Sequence, residues 1–173
     1  MDDLSIIDKV KQDSENFRLL VKKYQEIILN YLYGWTWDKS LAEDLTQETF
    51  VSLFENLGKY DRTKSLKAWL LTIARNKLID HFRKHKGRKE VPLDEEVTSE
   101  EEPLIEERVL KDILDRMDEK YKEVLLMYYW QELSYKEISE TLRISINTVK
   151  TRLRRAKNNL RMILKKEGYE KYI

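Results

Sequence analysis

LSYKEISETLRISINTVKTRLRRAKNNLRMI, residues 133–163, holds two helical patterns separated by a tight turn. Ser134 and Glu137 stand in S-x-x-E spacing, the capping box in which a hydroxyl and a carboxylate satisfy backbone N–H groups at a helix start. Ile138 and Leu142, four apart, fall on the inner face of that helix. Ser145 is a cap for a second helix. There Ile146, Val149, Leu153, Ala156, Leu160 and Ile163 recur at steps of three and four, which makes one apolar stripe. Asn147, Lys150, Thr151, Arg154 and Lys157 fall away from the stripe. From Thr141 to Lys166 there is no acidic residue and there are nine bases. A basic helix presented by a shorter helix and a turn is how a helix-turn-helix enters the DNA major groove. Asn147, Thr148, Lys150 and Thr151 occupy its first two turns, the part that reaches base edges. The later arginines suit phosphates, which fix register without reading sequence. A basic run alone is more often a solvated face; the capped helix and turn before it favour DNA.

Charged residues make up 38% of the 173 and there are only four glycines and two prolines, a composition that predicts an all-α protein. With no cysteine, disulfides and thiolate metal sites are excluded. The opening MDDLSIIDKVKQD has neither a basic n-region nor an apolar h-region. No apolar run approaches the roughly 20 residues of a membrane span. The expectation is a soluble, cytoplasmic chain without membrane insertion. The net charge of +1 conceals a pattern: residues 1–89 carry 17 bases and 13 acids, 90–107 no base and nine acids, and 108–173 16 bases and 10 acids. Two basic blocks around an acidic strip suggest two small helical, DNA-facing domains, 1–89 and 108–173, the second containing the helix-turn-helix. Residues 90–107, with Pro92 and Pro103, read as a flexible, mostly disordered acidic linker. A plain spacer is favoured over a strip that discourages DNA contact until a partner arrives.

In the first block, Phe17, Leu20, Val21, Tyr24, Ile27, Ile28, Tyr31 and Leu32 keep helical spacing, so 14–34 is expected to be one amphipathic helix. Ser40 and Glu43 make a second capping-box pair, starting a helix that runs to Leu57 and stops at Gly58. Its buried face is Leu41, Leu45, Phe50, Leu53, Phe54 and Leu57; Asp44, Gln47, Glu48 and Glu55 lie on the other. A third helix, from Ser65 to about Lys86, has Leu66, Trp69, Leu70, Ile73, Ala74, Leu78 and Phe82 inside. Arg75, Asn76, Lys77, Asp80, Arg83 and Lys84 crowd its other side. Aromatics interleaved with cations are what single-stranded nucleic acid uses, with rings taking unstacked bases. Trp69 and Phe82 are expected in the core, which leaves Tyr60, in the preceding loop, as the base-contact candidate. His81 and His85 stand four apart beside Asp80, but HFRKH lacks the glutamate of H-E-x-x-H and is ringed by cations, so no metal is expected.

AEDLTQETFVSLFENL, then SLKAWLLTIARNKLIDHFRK, then MDEKYKEVLLMYYWQELSYKEISETL with ISINTVKTRLRRAKNNL follow one another in order. With these blocks the chain resembles the extracytoplasmic-function (ECF) sigma factors of bacterial RNA polymerase over nearly its whole length. The resemblance implies that Asp44, Gln47 and Glu48 form a docking face for the coiled coil of the polymerase β′ subunit, within a core made of β′ and β. It implies that Tyr60 helps hold a flipped minus-ten base and that Asn76 helps read it, with Arg75, Asp80 and Arg83 beside them. It implies minus-thirty-five recognition through Asn147, Thr148, Lys150, Thr151, Arg152, Arg154 and Arg155. Promoter DNA, duplex and melted, core polymerase and an anti-sigma factor are the implied partners; there is no cofactor and no enzymatic activity. Two positions depart from the family pattern: Arg143, where the turn usually holds Gly or a small polar residue, and Ser139, where Ala is favoured. Arg in a turn that needs φ > 0 would be strained. Alternatives are a stand-alone helix-turn-helix regulator binding duplex operators as a dimer, and a DNA-processing enzyme using Asp80, His81 and His85.

Overall fold

The computed structural model describes residues 2–85 and 105–168. The acidic strip through residue 104, both prolines and the basic run after His85 lie outside the described residues. Among the described residues there are eight α-helices and no strand. α1 is Asp3–Gln12, α2 Phe17–Thr36, α3 Lys39–Asn56 and α4 Leu66–His85. α5 is Ile105–Asp115, α6 Glu119–Leu125, α7 Tyr135–Leu142 and α8 Ile146–Lys166. One π-helical turn, Leu126–Trp130, continues α6.

α1 starts where the Asp2 carboxylate accepts from the Ser5 N–H, and it buries Ile6, Ile7 and Val10. A single 3-10 turn at Ser14–Asn16 precedes α2, so the helix expected from residue 14 begins at Phe17. α2 ends at Trp37, left-handed at φ 51, whose N–H bonds to the Tyr33 carbonyl. The Thr36 hydroxyl ties that corner to Leu32 and Asp38. Asp38, not Ser40, then caps α3 through the Leu41 N–H. The corner delivers the chain at Asp38 in extended conformation, and a carboxylate there reaches the first free N–H groups before Ser40 can. Gly58 ends α3 without a left-handed conformation, since the chain passes through a 3-10 turn at Leu57–Lys59.

α2, α3 and α4 enclose Leu20, Ile28, Leu32, Leu53, Leu70 and Leu71, each wholly buried. This core is continuous with that of the second half, which contains Val124, Leu126, Met127, Ile138, Val149 and Leu153. The two halves meet along a seam. Gly34 of α2 lies under Leu126 and Trp130: a Cβ there would be 3.4 Å from one Leu126 δ-carbon and 3.5 Å from the Trp130 ring. Trp37 meets Trp130 edge to face at 6.4 Å. Along α4, the Lys67 ammonium donates to the Gln131 carbonyl and the Thr141 hydroxyl to the Ala68 carbonyl. Arg75 of α4 pairs through Nε with Glu123 of α6. The Ser65 hydroxyl accepts from the Ala68 N–H at the start of α4 and donates to Glu137 Oε1 at 2.7 Å. Glu137 Oε2 meanwhile accepts from the Ser134 N–H and hydroxyl, so one carboxylate serves the starts of both α4 and α7. Burial pushes the Glu137 carboxyl up, but the donors from Ser65 and Ser134 outweigh it and hold it below the ordinary glutamate value.

Candidate nucleic-acid interface

α7 opens with the full capping box expected at Ser134 and Glu137, and Ser145 caps α8 through the Thr148 N–H. Between them Arg143 stands at φ 54, ψ 44, in the left-handed region, and its N–H bonds to the Ser139 carbonyl. That conformation costs a residue with a Cβ roughly 1–2 kcal/mol. Ser139 offsets it: its hydroxyl donates to the Ile144 carbonyl at 2.6 Å, a bond across the turn that alanine could not make. Arg143 and Ser139 thus act on one another. Arg143→Gly is expected to raise stability by about 0.5–1 kcal/mol, and Ser139→Ala to lower it by about 1 kcal/mol. Thermal unfolding of both variants checks this, and equal effects of the same sign would show that the turn is not strained.

The turn sets α8 with Val149, Leu153 and Ala156 buried. Asn147, Lys150, Thr151, Arg154 and Arg155 are exposed on the far side, with Arg152 and Thr148 half-buried. Thr148 is partly engaged, its hydroxyl 2.8 Å from that of Ser145. Ile146, expected in the apolar stripe, is 41% exposed because the first turn projects beyond the body of the fold. The residues singled out in the sequence therefore do share one basic face. Further along, the Lys157 ammonium lies over the rings of Tyr128 and Tyr129.

The first half presents two other faces. Asn76, Asp80 and Arg83 follow one another along α4, with Asp80 and Arg83 paired at 3.0 Å and largely exposed. Arg75, the neighbour of Asn76, is turned to the seam and held by Glu123. Tyr60 ends the 3-10 turn and stacks on Trp69 at 5.2 Å, its hydroxyl donating to the Lys64 carbonyl. Tyr60 is thus half-buried, and burial raises its pKa. Arg62 makes a two-pronged pair with Asp8 of α1, at 2.9 and 2.8 Å, so the loop before α4 is held from the α1 side as well. Phe82, expected in the core, is 42% exposed near the end of α4, where no other described helix covers it. The His81 and His85 rings stack at 4.2 Å, and burial lowers the pKa of His81.

On α3, Asp44, Gln47 and Glu48 are exposed together, and Glu48 lies 3.4 Å from Lys77. Val51 and Phe54 continue the same face at 58% and 49% exposure. Phe54, expected inside, instead leans on Phe17 edge to face at 5.0 Å and borders a groove with Val21 and Lys22. The spacing 44, 47, 48, 51, 54 fits one helical face, so the place of Phe54 on α3 overrides the inward position its hydrophobicity suggests.

Two family models match the chain: Sigma-70 region 2 over residues 20–88 and Sigma-70 region 4 over residues 107–160. Among curated proteins, it is 35% identical over 153 residues to the ECF RNA polymerase sigma factor SigM of Bacillus subtilis (strain 168), covering 83% of this chain and 92% of that protein. It is 30% identical to the RNA polymerase sigma factor YlaC of the same organism, covering 89% of this chain and 95% of that one. Among solved structures, CnrH in complex with the cytosolic domain of CnrY matches with a TM-score of 0.75 at 20% identity, over 92% of this chain and 95% of that chain. RpoE in complex with the anti-sigma factor NepR, from Bartonella quintana, matches with a TM-score of 0.71 at 22% identity, over 87% and 98%. These two likenesses show the fold.

Proposed function

The chain belongs to the extracytoplasmic-function family of RNA polymerase sigma factors, and from that premise we propose how its faces divide the work of promoter selection. It is a transcription initiation factor that binds core RNA polymerase and directs it to promoters. That membership sets aside the operator-binding dimer and the DNA-processing enzyme. The observation that carries the division of labour is the separation of an acid–amide strip on α3 from an acid-free, exposed cationic face on α8.

Asp44, Gln47 and Glu48, extended by Val51 and Phe54, form the polymerase-docking face, with charge for selectivity and apolar area for affinity. Tyr60, Arg75, Asn76, Asp80 and Arg83 serve the minus-ten element, and Asn147, Thr148, Lys150, Thr151, Arg152, Arg154 and Arg155 the minus-thirty-five duplex. Residues 1–89 and 108–173 act as two domains, linked through 90–107, that read the two elements together; linkage raises the effective concentration of the second contact. Melting follows from trapping unstacked bases, which offsets an unpairing cost of a few kcal/mol, about that of flipping a base. The chain is not itself an enzyme; the bond-forming chemistry lies in the core. No described helix is long and apolar enough to cross a membrane, and the proposed site of action is the cytoplasm. An anti-sigma factor is the proposed antagonist, supported by the NepR complex of RpoE.

Run-off transcription from a promoter-library pool with purified bacterial core polymerase tests the whole. The expected result is chain-dependent transcripts sharing two spaced upstream elements; their absence with an active core would sink the reading. Asp44→Ala with Gln47→Ala is expected to weaken core binding at least 10-fold, about 1.4 kcal/mol or more, without altering helix content. Unchanged core affinity would remove α3 from the interface. Lys150→Ala is expected to change the preferred upstream sequence, whereas Arg155→Ala should weaken binding evenly and reduce the salt slope by about one. An identical uniform loss in both would mean that Lys150 reads no base.

A further inference from the structure

Beside the recognition face lies a notch that the helix-turn-helix alone does not account for. One wall is the line Asn147, Thr151 and Arg155 on α8, with Arg152 at its edge. The other wall is the start of α6, outside the helix-turn-helix, through Lys120 and Tyr121. At about 330 Å³ it is at the small end of ligand sites, and it is shallow and largely open, which suits a strand lying against it better than an enclosed molecule. Resting on the reading of α8 as the duplex reader, we propose that this notch seats one backbone phosphate of the upstream duplex, with Lys120 as its cation from outside the helix-turn-helix.

The geometry argues for a phosphate over a base. Residues 147, 151 and 155 run down one line of α8, and 150 and 154 down the next. A helix lying in the major groove is flanked by both sugar–phosphate strands, so the line turned toward α6 meets a strand and the neighbouring line meets the floor of the groove. The notch wall supplies what a phosphate needs: cations from Lys120, Arg152 and Arg155, and neutral donors from Asn147 and Thr151. Lys120 is held ready: its ammonium rests 5.0 Å from the centre of the Tyr121 ring and 2.7 Å from the Asp118 carboxylate. Asp118 caps α6 through the Lys120 N–H, and its charge opposes an incoming anion. A phosphate approached by Lys120, Arg152 and Arg155 together competes for the ammonium that Asp118 holds.

This assigns opposite effects to the two members of one ion pair. The test uses the full chain bound to core polymerase and a duplex carrying the upstream element that transcription selects. Lys120→Ala is expected to bind it roughly 3- to 10-fold more weakly, with the salt slope lower by about one. Asp118→Asn keeps a capping side chain, removes the opposing charge, and is expected to bind several-fold more tightly. A scan of single methylphosphonates, each neutralising one phosphate, should find one position that costs the unaltered chain at least as much as Lys120→Ala does. The same substitution should cost the Lys120→Ala variant less than it costs the unaltered chain, the remainder belonging to Arg152 and Arg155. Affinity and slope unchanged in Lys120→Ala, while the unaltered chain binds, would overturn the phosphate seat alone. No upstream-duplex binding by the unaltered complex would overturn both the seat and the proposed function of α8.

Discussion

Glu123→Ala is expected to lower the stability of the chain by about 2 kcal/mol and, at the same time, to raise the affinity of the free protein for single-stranded DNA of the minus-ten element. Glu123 is 8% exposed on α6 and holds Arg75 of α4 through the guanidinium Nε. Removing one partner of a fully buried pair costs about 3–5 kcal/mol, because the other charge is left without compensation. The Arg75 side chain is 29% exposed, so water compensates part of the loss and the expected cost falls to the lower figure. The gain in affinity has a separate origin. Arg75 stands next to Asn76, in the set proposed to contact the melted strand, and while Glu123 holds it the guanidinium is not available to a phosphate. Denaturant unfolding reads the first effect and titration with a labelled single strand the second. A purely structural role for the pair would weaken both. Arg75→Ala added to Glu123→Ala should cancel the gain, and a gain that survives would mean that another cation carries it.

The readings that succeeded from sequence rest on contacts within about four residues. Ser134 with Glu137, and Ser145 with the Thr148 N–H, are local bonds that the chain announces by spacing, and both form. The exposed face of α8 followed from the same periodicity. Where two local solutions competed, a turn outside the helix decided: the left-handed Trp37 brings Asp38, rather than Ser40, to the start of α3. Aromatic rings usually point inward, yet Phe54 is 49% exposed with Phe17 of α2 against one edge, and Phe82 is 42% exposed near the end of α4. The seam had no signature at all. Ser65 with Glu137, Lys67 with Gln131 and Arg75 with Glu123 are separated by 72, 64 and 48 residues. Nothing in the neighbourhood of Arg75 distinguishes it from the exposed Arg83, and only the approach of α6 does so. The basic face of α8 was therefore legible as a unit, while Tyr60, Arg75, Asn76, Asp80 and Arg83 were legible as a list whose members the fold treats differently.

Leu126→Ala is expected to destabilise the chain by about 2–5 kcal/mol, a fall of about 2–4 °C in Tm for each kcal/mol in a chain of this size. Leu126 is 2% exposed at the start of the π-helical turn, and its δ-carbons lie against the Gly34 backbone. Truncation removes apolar contact from the seam and leaves a cavity that neighbouring helices close only in part. The position of Gly34 makes the cavity testable. A Cβ at residue 34 would lie 3.4 and 3.7 Å from the two Leu126 δ-carbons, so Gly34→Ala puts a methyl group next to the space that Leu126→Ala vacates. In the unaltered chain that methyl makes ordinary van der Waals contact with Leu126 and the Trp130 ring, which adds to the roughly 0.5–1 kcal/mol that alanine gains over glycine inside a helix, so Gly34→Ala alone should stabilise. In the Leu126→Ala background the Leu126 side of that contact is gone. The double variant should then fall short of the sum of the separate effects by about 0.5 kcal/mol or more. That non-additivity is the signature of two halves packed on each other. Strict additivity would mean that residues 34 and 126 do not touch in solution and that the halves are apart there.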